Sequence, residues 1–483
     1  MEFDMNKPYC YYFNEICKIP HGSYNEKAIS EYVVAFAKEH NLAYVQDEMN
    51  NVIIRKPASV GYESYEPVML QGHMDMVCEK EPGVEFDFEK DGIQTYVDEK
   101  GLLRAKGTTL GADDGMGVAE MLAILADNTL KHPALDCVFT VQEEVGLFGA
   151  LGLDKSLLRA HRMISLDGGG ETVTAVSSAG GVNAITSIPV ERKETAKSYY
   201  TIRVTGLSGG HSGGLIDKEK GNANKLLARI IKEMMNEGKD LQLVSIDGGS
   251  KDNAICREST AVIASDDAFE TLQSACQALK EKISVEFEVS DPEFTVEFEK
   301  CEKNIPAMDE SSTKKVVDYM YLCPNGFRHK SMAIEGLTLT SLNMGIVKTE
   351  EDKVIVNSSI RSALEEAIDD LIDTIKCLAG YMGATTETFA RYPGWNYNPD
   401  SKMRETYAKV LKELYPEKEL ECHAGHGGLE CAVFTQVEGG MDIITCGPIS
   451  EGCHTPDEML DLASWDRTWK ILTGIIANVD EKA

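Results

Sequence analysis

The chain has 483 residues, 43% hydrophobic and 26% charged, which is the make-up of a folded globular protein long enough for two or three domains. Its 48 basic against 79 acidic side chains leave a formal charge of −31, so the surface repels phosphate backbones and anionic membranes and argues against both as partners. Thirteen cysteines without CxxC pairs, an N-terminus (MEFDMNKPYC) lacking an apolar core, and no apolar run of about eighteen residues point to reduced thiols in a cytoplasm rather than to export or membrane insertion.

Over the first ~185 residues short apolar runs alternate with helical patterns, as in α/β domains. VML before Gln71 reads as a strand, GVAEMLAILAD (117–127) as a buried helix, and CVFTV (137–141) and MISL (163–166) as further strands. Each of these strands runs straight into charged residues, and the carboxyl ends of strands are where open α/β sheets place ligands. From ~186 to ~395 the strands alternate instead of being wholly apolar, as SYYTIRVTGL (198–207) does, which favours a separate α+β domain with an exposed sheet face. There the order helix, strand, strand, helix, strand occurs twice, beginning at KLLARIIKEMM and again at KKVVDYMY, so the domain reads as two βαββ-type halves. After YPGW (392–395) come a helix (SKMRETYAKVLKEL), a glycine-rich turn (HAGHGGLE), a strand (DIITC) and a last helix. The return to α/β character predicts one α/β domain, 1–185 with 396–483, into which 186–395 is inserted.

Five short motifs carry metal-binding chemistry: LQGHMDMV (70–77), GTTLGADDGMGVA (107–119), TVQEEVGLFGA (140–150), ISLDGGG (164–170) and GPISEGCHTPDEML (447–460). Each alone has a plain structural reading: a hydrogen-bonded turn, an aspartate-capped helix, solvated charge, a strand end. Together, on one predicted sheet edge, they assemble imidazoles and carboxylates, a donor set that suits zinc and also cobalt or manganese. Five ligands and one free glutamate are the minimum for a pair of divalent ions that activates water, and one carboxylate must bridge the pair. Spacing separates neither Glu143 from Glu144 nor Asp113 from Asp114.

The ordered set GHMD, GADDG, QEEVG, LDGG and CHTPDE resembles the co-catalytic zinc peptidase family that includes carboxypeptidase G and peptidase T. LSGGHSGG (207–214), GNANKLL (221–227), DNAICRE (252–258) and HAGHGGLE (423–430) resemble its aminoacyl-histidine (Xaa-His) dipeptidase subgroup, and the likeness runs from about residue 10 to 475. The resemblance implies that Asp113 bridges two zinc ions, with His73 and Asp167 completing one and Glu144 and His454 the other. It further implies that Asp75 orients the His73 ring, and that Glu143 is the base that takes a proton from a metal-bridged water. His211 would donate to the developing oxyanion from a lid domain, Arg361 would clamp the substrate carboxylate, and Asn253 would touch the substrate backbone. For Asn253 an Asx turn is an equal reading, neither His423 nor His426 receives a role, and Cys453 reads as a packed thiol. The inserted segment is longer than in many relatives and looks doubled, which leaves a homodimer, and His211 acting in its own chain or in a partner, both open. The activity implied is hydrolysis of dipeptides, Xaa-His (carnosine-like) with broad specificity. The alternatives are a tripeptidase or N-acyl amino acid deacylase of the same chemistry, and a non-catalytic binding protein on the same fold.

Overall fold

The computed structural model describes residues 3–302 and 305–479. The chain forms two compact units, one of residues 1–177, 395–424 and 429–483, the other of residues 178–394 and 425–428. Among the described residues no helix is long and apolar enough to cross a membrane.

The first unit is built on a six-stranded mixed sheet. Its order is Ala43–Gln46, Val52–Lys56, Leu135–Thr140, Val68–His73, Arg162–Ser165, Asp442–Thr445. The last four strands are mutually parallel, and the two N-terminal strands add on antiparallel at one edge. Val68–His73 and Leu135–Thr140 are buried at every residue, the mark of strands covered on both faces. Their register sets His73 opposite Thr140, and Gln71 opposite Ser165 on the other side. The three strands therefore end at nearly one level, and the residues that follow them share one edge.

Helix Ala112–Ala126 packs on this sheet and is buried around nearly its whole circumference, as its run of Ala, Met, Leu, Ile and Val requires. Trp465, on the final helix Leu462–Ala477, is wholly buried, with ring centroids 5.0 Å from Tyr9 and 5.6 Å from Phe13. Truncating a core aromatic of this kind costs about 3–5 kcal/mol. The N-terminus of that helix is capped by Asp461, which accepts from the Ala463 and Ser464 amides.

The second unit has a nine-stranded antiparallel sheet. Its main path runs Thr295–Lys300, Ser198–Thr205, Ser259–Ser265, Gln242–Gly248, Thr338–Thr349, Lys353–Ser362, Gly180–Pro189, Thr385–Tyr392. The doubling expected from sequence is present, and a strand not read from the sequence, Gly180–Pro189, completes the second half. Ser198–Thr205, helix Ala223–Asn236, two strands, helix Phe269–Ser284 and Thr295–Lys300 form one half. Gly180–Pro189, helix Glu310–Leu322, two main-path strands, helix Glu365–Tyr381 and Thr385–Tyr392 repeat that order, with the ninth strand, Gly326–Lys330, added on Thr338–Thr349. The main-path strands run outward in mirror sequence from the junction where Gly248 pairs with Val347. The extra strand Gly180–Pro189 precedes both halves in the chain, so the linear pattern of elements did not reveal its place. In the closing segment, Glu421–Ala424 pairs in parallel with Val173–Ser177, where the sequence suggested the start of a turn.

Candidate metal centre

At the shared strand edge, His73 is the last residue of its strand, Glu143 and Glu144 follow Thr140 by three and four residues, and Asp167 follows Ser165 by two. Asp113 lies in the first turn of helix Ala112–Ala126 with extended backbone (φ −80°, ψ 108°), after a cap at Gly111 whose φ of 70° suits glycine. His454 adopts φ 65° in a turn held by the Thr455 amide on the Gly452 carbonyl at 3.2 Å.

The side chains converge around Asp113. Its Oδ1 is 3.0 Å from His73 Nε2, and its Oδ2 is 3.3 Å from His454 Nε2. His454 Nε2 is also 3.0 Å from Glu144 Oε2. Two triplets have donor atoms all within 4.8 Å of one another, His73–Asp113–Asp167 and Asp113–Glu144–His454, and Asp113 is common to both. His73 with Glu143 and Glu144 meets the same limit.

His73 Nδ1 donates to the Asp75 backbone carbonyl at 2.9 Å, so in the neutral ring Nε2 presents a lone pair, and it presents it to a carboxylate oxygen. Two acceptors at that distance require a proton or a cation between them. The electrostatics repeat the point. The carboxylates of Asp113 and Glu144 push His454 up to about 10. Burial raises Asp113, but His454 and His73 overcome it and hold its carboxyl below the usual range. Burial and the Asp113 charge push Asp167 up to about 7. Glu144 Oε1 is buried with no hydrogen-bond partner among the described residues. Carboxylates and imidazoles packed this way, short of positive charge, fit a pair of divalent ions.

The Asp75 carboxylate lies 3.6 Å from His73 Nδ1, farther than its own backbone carbonyl. It also accepts from the Glu143 amide (3.0 Å), the Glu144 amide (3.3 Å) and Ser23 Oγ (2.8 Å), and so braces the turn that carries both glutamates. Glu143 is pushed well above its ordinary range by burial, against the pull of His73. Asp114 has a different partner: it is wholly buried, accepts from the Gly117 amide at 3.2 Å, and fills a niche that a methyl on Gly72 or Gly117 would close.

The second unit gathers the remaining candidates. Arg361 is buried, donates from Nη1 to Tyr392 Oη at 3.1 Å, and leaves its buried Nε without a partner among the described residues. His426 Nε2 is 2.7 Å from Ser341 Oγ, and burial together with Arg361 pushes its ring down to about 4. Partial burial and Arg361 also lower His211, whose Nδ1 accepts from the Gly213 amide at 3.2 Å. Asn253 is exposed, and its carbonyl accepts from the Ser212 amide at 2.8 Å, beside His211. His423 is exposed, and Cys453 Sγ lies 3.5 Å from Ser450 Oγ.

Sequence reasoning gave no role to two buried carboxylates within motifs it had singled out. Glu430, ending HAGHGGLE, accepts from Gln71 Nε2 and Thr140 Oγ1, both at 2.6 Å, and burial pushes it up to about 8. Glu458, ending CHTPDE, accepts from backbone amides beside Asp113. Membership in a motif was the signal for both; the contacts were not.

A model of Peptidase family M20/M25/M40 matches residues 69–478. The chain is 35% identical to the cytosol non-specific dipeptidase of Escherichia coli (strain K12) over 477 residues, 97% of each chain. It is also similar to the solved aminoacylhistidine dipeptidase of Vibrio alginolyticus, with a TM-score of 0.92, 32% identity, and coverage of 99% and 97% of the two chains. A Bacillus cereus aminopeptidase shares the fold at 16% identity, with a TM-score of 0.57 over 99% of this chain and 100% of its own. The chain belongs to Peptidase family M20/M25/M40, among its dipeptidases, and is an enzyme that hydrolyses peptide bonds.

Proposed function

We propose that the enzyme hydrolyses dipeptides, with broad side-chain tolerance and a preference for Xaa-His, at a di-metal centre held by His73, Asp113, Glu144, Asp167 and His454. The observation that carries this reading is the carboxylate of Asp113, whose two oxygens each face a different imidazole. Zinc suits that donor set best, with cobalt or manganese as substitutes. When bound, the ions would acidify the attacking water and polarise the scissile carbonyl.

The chain's own residues do the rest. Glu143, its amide held by Asp75, takes the proton of the attacking water and passes it to the leaving nitrogen, a step typically worth ~10²–10⁴ in rate. Arg361, with its unpartnered Nε, receives the carboxylate that ends a dipeptide. His211 donates to the developing oxyanion and Asn253 to the substrate backbone. The segment 186–395, which carries these three residues, acts as an inserted lid and the remainder, 1–185 with 396–483, as the catalytic domain, whether the lid serves its own chain or a partner's in a homodimer.

The names of two relatives support the substrate range. The Escherichia coli protein is called non-specific, and the Vibrio alginolyticus protein is an aminoacylhistidine dipeptidase. A cytoplasmic setting fits thirteen free cysteines and a relative named for the cytosol. The test is a panel of carnosine, other Xaa-His dipeptides, dipeptides lacking histidine, tripeptides and acetylated amino acids. Dipeptides should turn over fastest, with Xaa-His at the top of the series. Turnover of tripeptides or acetylated amino acids alone would overturn the assignment.

A further inference from the structure

Glu458 closes the motif that carries His454, four residues after it, and is 2% exposed. Its carboxylate accepts from four consecutive amides: Oε2 from Leu110 (2.7 Å) and Gly111 (3.0 Å), Oε1 from Ala112 (2.9 Å) and Asp113 (3.3 Å). These amides open helix Ala112–Ala126. Its cap, Gly111, has no side chain to offer, so the first-turn donors depend on a group from elsewhere. A carboxylate is the favoured group there because it complements the positive end of the helix dipole.

The anion comes from the turn that also presents His454. That turn is closed by the Glu458 amide on the Thr455 carbonyl (3.1 Å) and by Thr455 Oγ1 on the Gly452 carbonyl (2.7 Å). It leads into strand Met459–Asp461, which pairs with Leu102–Ala105. One side chain thus ties the backbone beneath Asp113 to the turn that carries His454.

We propose that Glu458 is a positioning residue that sets the Asp113–His454 spacing, and so the affinity for the ion these two residues share with Glu144. The inference rests on the two-metal reading above. It is specific to a carboxylate. A glutamine oxygen can satisfy two of the four amides, while its NH₂ meets the other two as a donor facing donors.

The test is zinc binding by the purified full-length chain, read by competition with a chromophoric chelator, alongside carnosine kinetics and thermal melting. Glu458→Gln should bind one zinc as the wild type does and the second roughly 10–100-fold more weakly. Its kcat should fall while KM stays within about threefold, and excess zinc should restore kcat. A merely structural role would lower the melting temperature and leave the ratio of the two affinities unchanged, and that result overturns the proposal. Two zinc ions bound at wild-type affinity in Glu458→Gln overturn it equally. If that variant does not fold, Glu458→Asp, which keeps the charge with a shorter reach, replaces it, and wild-type affinity for both ions there is the overturning result. A wild-type chain that binds fewer than two ions would sink the two-metal reading itself, a result separate from the others.

Discussion

The two units present opposite electrostatic deficits. In the first, Asp113, Glu144, Asp167 and Glu143 crowd around His73 and His454, and His73 Nε2 stands 3.0 Å from the Asp113 carboxylate. In the second, the buried Arg361 donates to Tyr392 and adds its charge to the burial that lowers His211 and His426, and among the described residues it has no carboxylate partner. Buried charge without a counter-charge is costly, and the two arrangements are of opposite sign. In the proposed reading the first serves the scissile carbonyl and the second the terminal carboxylate of a dipeptide.

The largest expected effect tests the first half of that contrast. Glu143→Ala should lower kcat on carnosine by about 10²–10⁴-fold while zinc content by elemental analysis stays at the wild-type level. Lost metal would make Glu143 a ligand, the alternative that its distance to His73 allows. Activity retained would mean that the base lies elsewhere.

Arg361→Met tests the other half. Hydrogen bonds to a charged group contribute about 1.5–3 kcal/mol, so kcat/KM for a dipeptide should fall roughly 10–100-fold. The wild type should also prefer a free dipeptide over its C-terminal amide, and the variant should lose that preference. A variant that still discriminates would place the carboxylate on another residue.

A smaller effect lies away from both deficits. Burial in the first unit's core pushes Glu120 up to about 8 from its ordinary 4.5, despite a hydrogen bond from Trp465 Nε1 at 3.0 Å. A folded-state value raised above the unfolded one means that the native state keeps a proton the unfolded chain gives up. This stabilisation is complete below pH 4.5 and is lost as pH rises through about 8. Melting temperature should therefore decline across that window, and Glu120→Gln should flatten the decline. An unchanged slope would remove Glu120 as its source.

Much of the fold was legible because periodicity is local. Wholly apolar strands such as Val68–Leu70 signalled a sheet covered on both faces, and the alternation of Ser198–Thr205 signalled a different kind of sheet. The repeat of helix, strand, strand, helix, strand exposed the doubled unit. Gly180–Pro189 escaped because its sheet neighbours, Lys353–Ser362 and Thr385–Tyr392, lie more than 160 residues away. No short window holds that pairing.

The sequence by itself determined the chemical inventory: which residue types stand just past the strands, and hence which ions and reactions they suit. Motif order also named Asp113 ahead of Asp114, but only by resemblance. The tertiary structure decided that Asp113 faces two imidazoles while Asp114 turns to the Gly117 amide, and that His426 is buried against Ser341 while His423 is exposed. It likewise decided that Glu458 spans four amides some 345 residues back along the chain. The reason is that residue type and spacing are properties of the chain, whereas the direction of a side chain depends on the backbone dihedrals of its turn and on the groups that distant segments bring against it.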